Sequence, residues 1–302
     1  VAAVDFFSLT VGCFLAWFLR RRSFPSTNTR LAEAHWPHFR EMFSLTRDFL
    51  VINIAAILIL QSGSVIVGRL LGAAAVAIYG AAQRVYQVAR ELTNSLTAAL
   101  LPVATKNHLV KGVSANGALY LTGTRYSNAL IFGVLPPVLF YIPILMDAWI
   151  GPDYSAAASP AMFLVASMFF NNQHLVAVPV LGGQGSLRAY SVLHAVWALS
   201  AVGLGVLLTS TFGVIGMATA IAAPIAILEP FYVRAAIKRT HLRSRHFLVR
   251  AIAMPALPAL ALFLALAAFA HYVATPGLVA AVLTIACWSA IYFGIFALLV
   301  MK

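Results

Sequence analysis

Apolar runs of bilayer length follow one another along nearly the whole chain, and they leave little freedom in what it can fold into. A spanning helix needs about 20 predominantly apolar residues. Nine runs qualify, at about 1–19, 48–68, 74–104, 127–150, 160–182, 188–210, 213–237, 247–271 and 277–300. The breakers agree with this parsing, since Gly151 and Pro152, Gly182 and Gly183, Gly213, and Pro276 and Gly277 all fall in the gaps. The third run is long enough to tilt, bend or protrude into water. Only 9% of the residues are charged, against roughly 25% in soluble domains. The expected fold is therefore an all-α polytopic membrane protein.

Charge sets the expected orientation. Seventeen of the 20 Lys and Arg residues fall in one set of loops, from Arg20, Arg21 and Arg22 through Lys106, Lys111, Arg125, Arg188 and Arg234 to Arg243, Arg245 and Lys302. The opposite loops carry only Arg69, with the acidic Asp147 and Asp153. By the positive-inside rule the basic loops face the cytoplasm, and the C-terminus ends inside. The net charge of +12 thus belongs to loops between spans, and no nucleic-acid partner is expected. Cys13 and Cys287 sit alone in apolar runs, which indicates neither a disulfide framework nor a zinc site. The chain opens at Val1 inside an apolar run without a basic n-region, so a missing N-terminal part is expected rather than a signal peptide.

The longest connection, 20–47, places Leu31, Trp36, Phe39, Met42 and Phe43 near one helical face. It reads as an amphipathic helix in a cytoplasmic linker, lying on the bilayer or packed on the protein's own end. Apparatus for catalysis is not visible. There is no HExxH, GxSxG, P-loop or pair of carboxylates on one span, Glu91 and Glu229 are isolated from other acids, and the histidines are scattered. The chain is not expected to be an enzyme or to carry a cofactor or metal.

The third run is the exception to apolarity. It carries Gln83, Arg84, Gln87, Arg90, Glu91 and Asn94, and their spacing puts all six on one helical face, with Val85, Val88, Ala89 and Leu92 opposite. An ionisable side chain at mid-membrane costs about 2.5–3.5 kcal/mol on insertion scales and usually faces a bundle interior or a wet cavity. Two readings stand side by side. One is a cavity for an anion, since the planar guanidinium fork suits phosphate; the other is an internal network in which Glu91 bridges to Arg84. In the fifth run Asn171, Asn172, Gln173 and His174 are consecutive, and four such residues cannot all face one neighbouring helix. Asn172 and His174 join the six as candidate binding residues. Ser191 and His194, and Asn53 and Gln61, read as interhelical hydrogen-bonding groups. Pro136, Pro137 and Pro224 suggest kinks.

Several stretches also resemble a known family. The run from Gly68 to Tyr86 is similar to the seventh-to-eighth-span junction of Wzx-like oligosaccharide flippases, the polysaccharide biosynthesis proteins of the multidrug/oligosaccharidyl-lipid/polysaccharide exporter superfamily. Tyr79, Arg84 and the segment Leu100, Leu101, Pro102 occupy matching places. Ala148 to Ala157 resembles the outer loop after the ninth span, and Phe212 to Ala222 the start of the twelfth. The resemblance implies that 1–19 is the last helix of a missing N-terminal lobe and 20–47 the inter-lobe linker. It implies further that 48–238 is a six-helix lobe, and that 239–302 adds a basic loop and two C-terminal helices. It implies alternating-access transport of a polyprenyl-diphosphate-linked glycan across the cell inner membrane, with Arg84 and Arg90 on the pyrophosphate or an acidic sugar. The partners so implied are that glycan, the bilayer and the missing lobe. The alternatives are a cation-coupled drug exporter of the same superfamily, which would favour embedded acids, and a non-transporting scaffold for glycan assembly.

Overall fold

The computed structural model describes residues 10–12, 14, 15, 17–19, 22, 36–270 and 277–300, and no strand occurs among them. The chain divides into two units, Val1–Ser44 and Leu45–Lys302. In the first, the described residues from Thr10 to Leu19 are helical and expose Phe14, Leu15 and Phe18. Most of the expected first span and of the linker lies outside the described residues.

Ten α-helices follow in chain order. They are α1 (Trp36–Leu71), α2 (Ala73–Thr97), α3 (Leu100–Lys111), α4 (Val113–Ile150), α5 (Ala158–Ala166), α6 (Met168–Gly182), α7 (Arg188–Thr240), α8 (Ser244–Phe247), α9 (Met254–Ala270) and α10 (Leu278–Val300). A 3₁₀ turn, Pro152–Ala157, precedes α5, and a π-helical segment, Leu248–Ala253, precedes α9. The protein is an all-α polytopic membrane protein. Large apolar side chains such as Leu199, Leu207, Leu257, Leu264, Val279 and Leu298 are exposed along these helices, as lipid-facing surfaces require.

Five described helices are long and apolar enough to cross a membrane, or six if the bent pair α5–α6 is one span. The expected count was nine; run 1–19 lies mostly outside the described residues, and the remaining differences have causes. α2 has 25 residues, about 37 Å at 1.5 Å per residue, but carries Arg84, Arg90 and Glu91, too many charges for a purely apolar span. It also stops at Thr97, where a turn at Ala98 and Ala99 separates it from α3, so the expected run 74–104 is not one helix. The expected fifth span bends by 45° between α5 and α6. α1 starts at Trp36, so the end of the expected amphipathic linker helix runs unbroken into the second span.

α7 holds two of the expected spans. At 53 residues it would be about 80 Å long if straight, more than twice the roughly 30 Å of hydrocarbon. It is instead a hairpin. Gly213 sits at φ 63°, ψ −144°, a conformation that suits a residue without Cβ. Across the fold Tyr190 donates to the Tyr232 carbonyl at 2.9 Å and Trp197 Nε1 to the Ile221 carbonyl at 3.1 Å. The halves either side of Gly213 correspond to expected spans 188–210 and 213–237.

Close approaches bind the helices. A Cβ on Gly63 of α1 would overlap the Tyr79 hydroxyl of α2, so only glycine lets these two helices meet there. α4 is the hub, packing on α2, α3, α5, α6, α7, α9 and α10. The main core includes Ile59, Tyr86, Ile131, Met168, Val176 and Tyr232. A second cluster, with Trp288, Tyr292 and Phe296, joins α10 to α4 and α9.

Candidate functional site

The bend between α5 and α6 turns the polar run of α6 into the core. Asn171, Asn172, Gln173 and His174 are all buried there, and each is taken up by a different set of partners. Asn171 donates to the Tyr86 hydroxyl on α2 at 3.1 Å. Asn172 accepts from Thr93 on α2 and Ser127 on α4, and donates to Asn128 on α4 at 2.7 Å. Gln173 donates to the same Asn128 oxygen. Asn128 in turn donates to the Ala251 carbonyl at 2.7 Å, satisfying an acceptor in the π-helical segment. Four elements are thus tied through one buried knot of amides, worth about 0.6–2 kcal/mol per bond in a membrane protein.

His174 ends the run on a different partner. Its Nδ1 lies 2.7 Å from Glu229 Oε2, and its backbone N–H donates to Oε1 at 3.0 Å. Both side chains are buried. The His174 ring stacks on Tyr232 at 4.6 Å and meets His194 and Trp197 edge-on at 5.3 and 5.6 Å. His194 Nδ1 lies 2.9 Å from both the Tyr232 hydroxyl and the Tyr190 carbonyl.

A pocket opens beside this cluster. Its walls come from Ile59 and Leu60 of α1, Tyr86 and Arg90 of α2, Asn171 and His174 of α6, and His194 and Trp197 of α7. Arg90 is half-buried on its rim. The ion pairs among the described residues join Arg47 and Arg188 to Asp48, and His174 to Glu229; neither Arg84 nor Arg90 takes part in one. The pocket is small, about 30 Å³, and brings the Arg90 side chain near the His174 and His194 imidazoles.

The eight candidate binding residues therefore separate. Arg90 and His174 come together at the pocket. Gln83 is buried and donates to the Leu60 carbonyl of α1, and Asn172 is enclosed in the amide knot, so both hold helices together. Arg84 is exposed and 3.5 Å from Gln87. Glu91 is exposed and accepts from Asn94 at 3.2 Å, rather than bridging to Arg84. The stripe follows the margin of α2 between its buried face, with Tyr79, Ala82, Tyr86 and Ala89, and its exposed one, with Val88. Ala89 is thus on the core side, opposite to what a cavity facing only the stripe would require. Glu229 was not among the candidates. Its sequence signal was an ionisable residue inside an apolar run, and its partner 55 residues away was not visible.

Fold and site together define the class, a multi-pass helical membrane protein with a polar, partly charged interior. Residues 1–108 match the family described as polysaccharide biosynthesis protein. That match supports a Wzx-like member of the polysaccharide exporter superfamily, as the sequence resemblance implied. It covers α1, α2 and most of α3, hence Arg84 and Arg90; the walls from α6 and α7 lie beyond it. No curated protein and no solved structure gives a match. The match, over about a third of the chain, connects it with polysaccharide biosynthesis.

Proposed function

We propose that the protein carries a polyprenyl-diphosphate-linked oligosaccharide across the cell inner membrane by alternating access, with its C-terminus in the cytoplasm. The observation that carries this proposal is Arg90. Its side chain lies on the wall of a small, mostly apolar pocket between α1, α2, α6 and α7 and is in no ion pair among the described residues. A cation inside a bilayer is retained where an anion meets it, and the planar fork matches a diphosphate through two parallel hydrogen bonds. Arg84, exposed on the same stripe, serves as an outer contact along the path. In this proposal the first lobe of the protein closes the cavity from the other side. The embedded acid Glu229 favours the drug-exporter alternative, but both its oxygens are held by His174, which leaves Arg90, in no ion pair among the described residues, as the group facing a ligand.

Glycan export in cells tests the proposal. In the full-length protein Arg90→Ala abolishes export at unchanged membrane levels, and Arg90→Lys restores it only in part, keeping charge but losing the fork. Normal export by Arg90→Ala would rule the proposal out.

A further inference from the structure

The basic end of the molecule carries a pocket remote in sequence from Arg90. Its walls are His108 of α3, Gln184 and Ser186 of the turn between α6 and α7, and Lys238, Arg239 and His241 at the end of α7. It encloses about 500 Å³, and no acidic residue lines it. By the orientation proposed above, it lies at the cytoplasmic end of the spans.

Close packing fixes the segments that form these walls. A Cβ on Gly183 would come within 2.7 Å of Ala104 and Thr105, so the turn after α6 lies directly on α3. A Cβ on Gly117 of α4 would come within 2.7 Å of the Thr240 carbonyl, which sets the end of α7 on the start of α4. Asn116 of α4 completes the frame by donating to the Ala104 carbonyl at 3.1 Å. The pocket is thus bounded by helix ends held in place against one another.

The lining suits an anion. Lys238 and Arg239 are in no ion pair among the described residues. Gln184 Nε2 is shut off from water without a hydrogen-bond partner, and so is His108 Nδ1. A buried donor left unpaired is costly until an acceptor reaches it. His241 sits at φ 54°, ψ 29°, and no other non-glycine residue among the described ones has a positive φ. It follows the last turn of α7, where Leu242 N–H donates to the Ile237 carbonyl at 3.2 Å, in a position that ordinarily takes glycine or asparagine. Basic residues in a last turn also offset the negative end of a helix dipole. That role requires neither a concavity nor an unpaired amide, nor an imidazole at a glycine position.

We infer that this pocket is a phosphate-binding site, with Arg239 and Lys238 as its charged donors and Gln184 as a neutral one. The site is independent of the role given to Arg90. The headgroup of an anionic phospholipid and free phosphate present the same oxygens to these donors. α3 favours the lipid, because it lines the pocket with His108 while exposing Leu109 and Val110 to the acyl region beside it.

Native mass spectrometry of the full-length protein titrated with phosphatidylglycerol tests the site. Phosphatidylcholine serves as the neutral headgroup, and calorimetry with inorganic phosphate is the soluble arm. The wild type binds phosphatidylglycerol more tightly than phosphatidylcholine. Lys238→Gln/Arg239→Gln, at two exposed positions, weakens that binding by about tenfold or more. Arg243→Gln/Arg245→Gln removes the same charge from residues outside the pocket and changes binding by less than about twofold. Gln184→Leu weakens it at constant charge. The same pattern with inorganic phosphate, and no preference between the lipids, assigns the site to free phosphate. Equal losses in the two double variants, or no binding in either arm, overturn the inference, since the charges then act only as a diffuse basic surface.

Discussion

His174 holds both carboxylate oxygens of Glu229, one through its ring at 2.7 Å and the other through its own backbone N–H at 3.0 Å. The pair fastens α6 to the returning half of the α7 hairpin within the core. Removing one member strands the other. Glu229→Ala should destabilise the protein by about 3–5 kcal/mol, as breaking buried pairs does. Glu229→Gln, which can accept from the backbone and donate to the ring, should cost only about 1–2 kcal/mol. Thermal unfolding in detergent separates the two, and equal losses would show that the hydrogen bonds contribute nothing.

The amide knot makes a second prediction. Asn172 serves Thr93, Ser127 and Asn128 together, so Asn172→Ala leaves several buried groups unpaired and should cost about 1–3 kcal/mol. Arg84→Ala, at an exposed position, should change stability by less than about 0.5 kcal/mol. The same unfolding assay compares them, and reversed magnitudes would contradict the assignment of Asn172 to structure.

Much of this was legible in the sequence. Most of the apolar runs from 48 onward coincide with long apolar helices or helix halves, because bilayer thickness and backbone satisfaction fix helix length. Four consecutive polar residues, 171–174, announced that α6 meets several helices at once, and it does. The polar stripe of α2 was visible, but periodicity alone cannot say where the core lies around a helix. Gln83 therefore looked like a cavity residue and proved to bond to Leu60. Glu229 and His174 lie 55 residues apart, on elements that only the bend at Ser167 and the reversal at Gly213 bring together. No local pattern encodes that meeting.

Gly63 offers a test of packing. Its α-carbon faces Tyr79 so closely that an added Cβ would overlap the hydroxyl and the ring. Gly63→Ala should destabilise by about 1–3 kcal/mol, the usual cost of overpacking, and shortening the opposing side chain with Tyr79→Leu should recover part of it. Additive losses in the double variant would mean that α1 and α2 do not touch there.

Topology follows from charge. Cysteines placed at Lys111, Arg188 and Arg243 should be labelled only from the cytoplasm, and one at Asp153 only from outside, by the positive-inside rule. Labelling of Arg188→Cys and Asp153→Cys from the same side of intact cells would contradict the orientation.

The central claim is that the guanidinium groups of Arg84 and Arg90 on α2, in no ion pair among the described residues, conduct an anionic lipid-linked glycan through the membrane. Its most direct test is reconstitution of the full-length protein in vesicles containing a labelled polyprenyl-diphosphate-linked oligosaccharide, followed by a membrane-impermeant reagent that reads which leaflet holds the label. Wild-type protein should move the label between leaflets. The double variant Arg84→Gln/Arg90→Gln keeps hydrogen bonding but removes both charges; inserted at the same density, it should leave the label where it started. Transfer by the double variant at the wild-type rate would contradict the account and make the stripe structural.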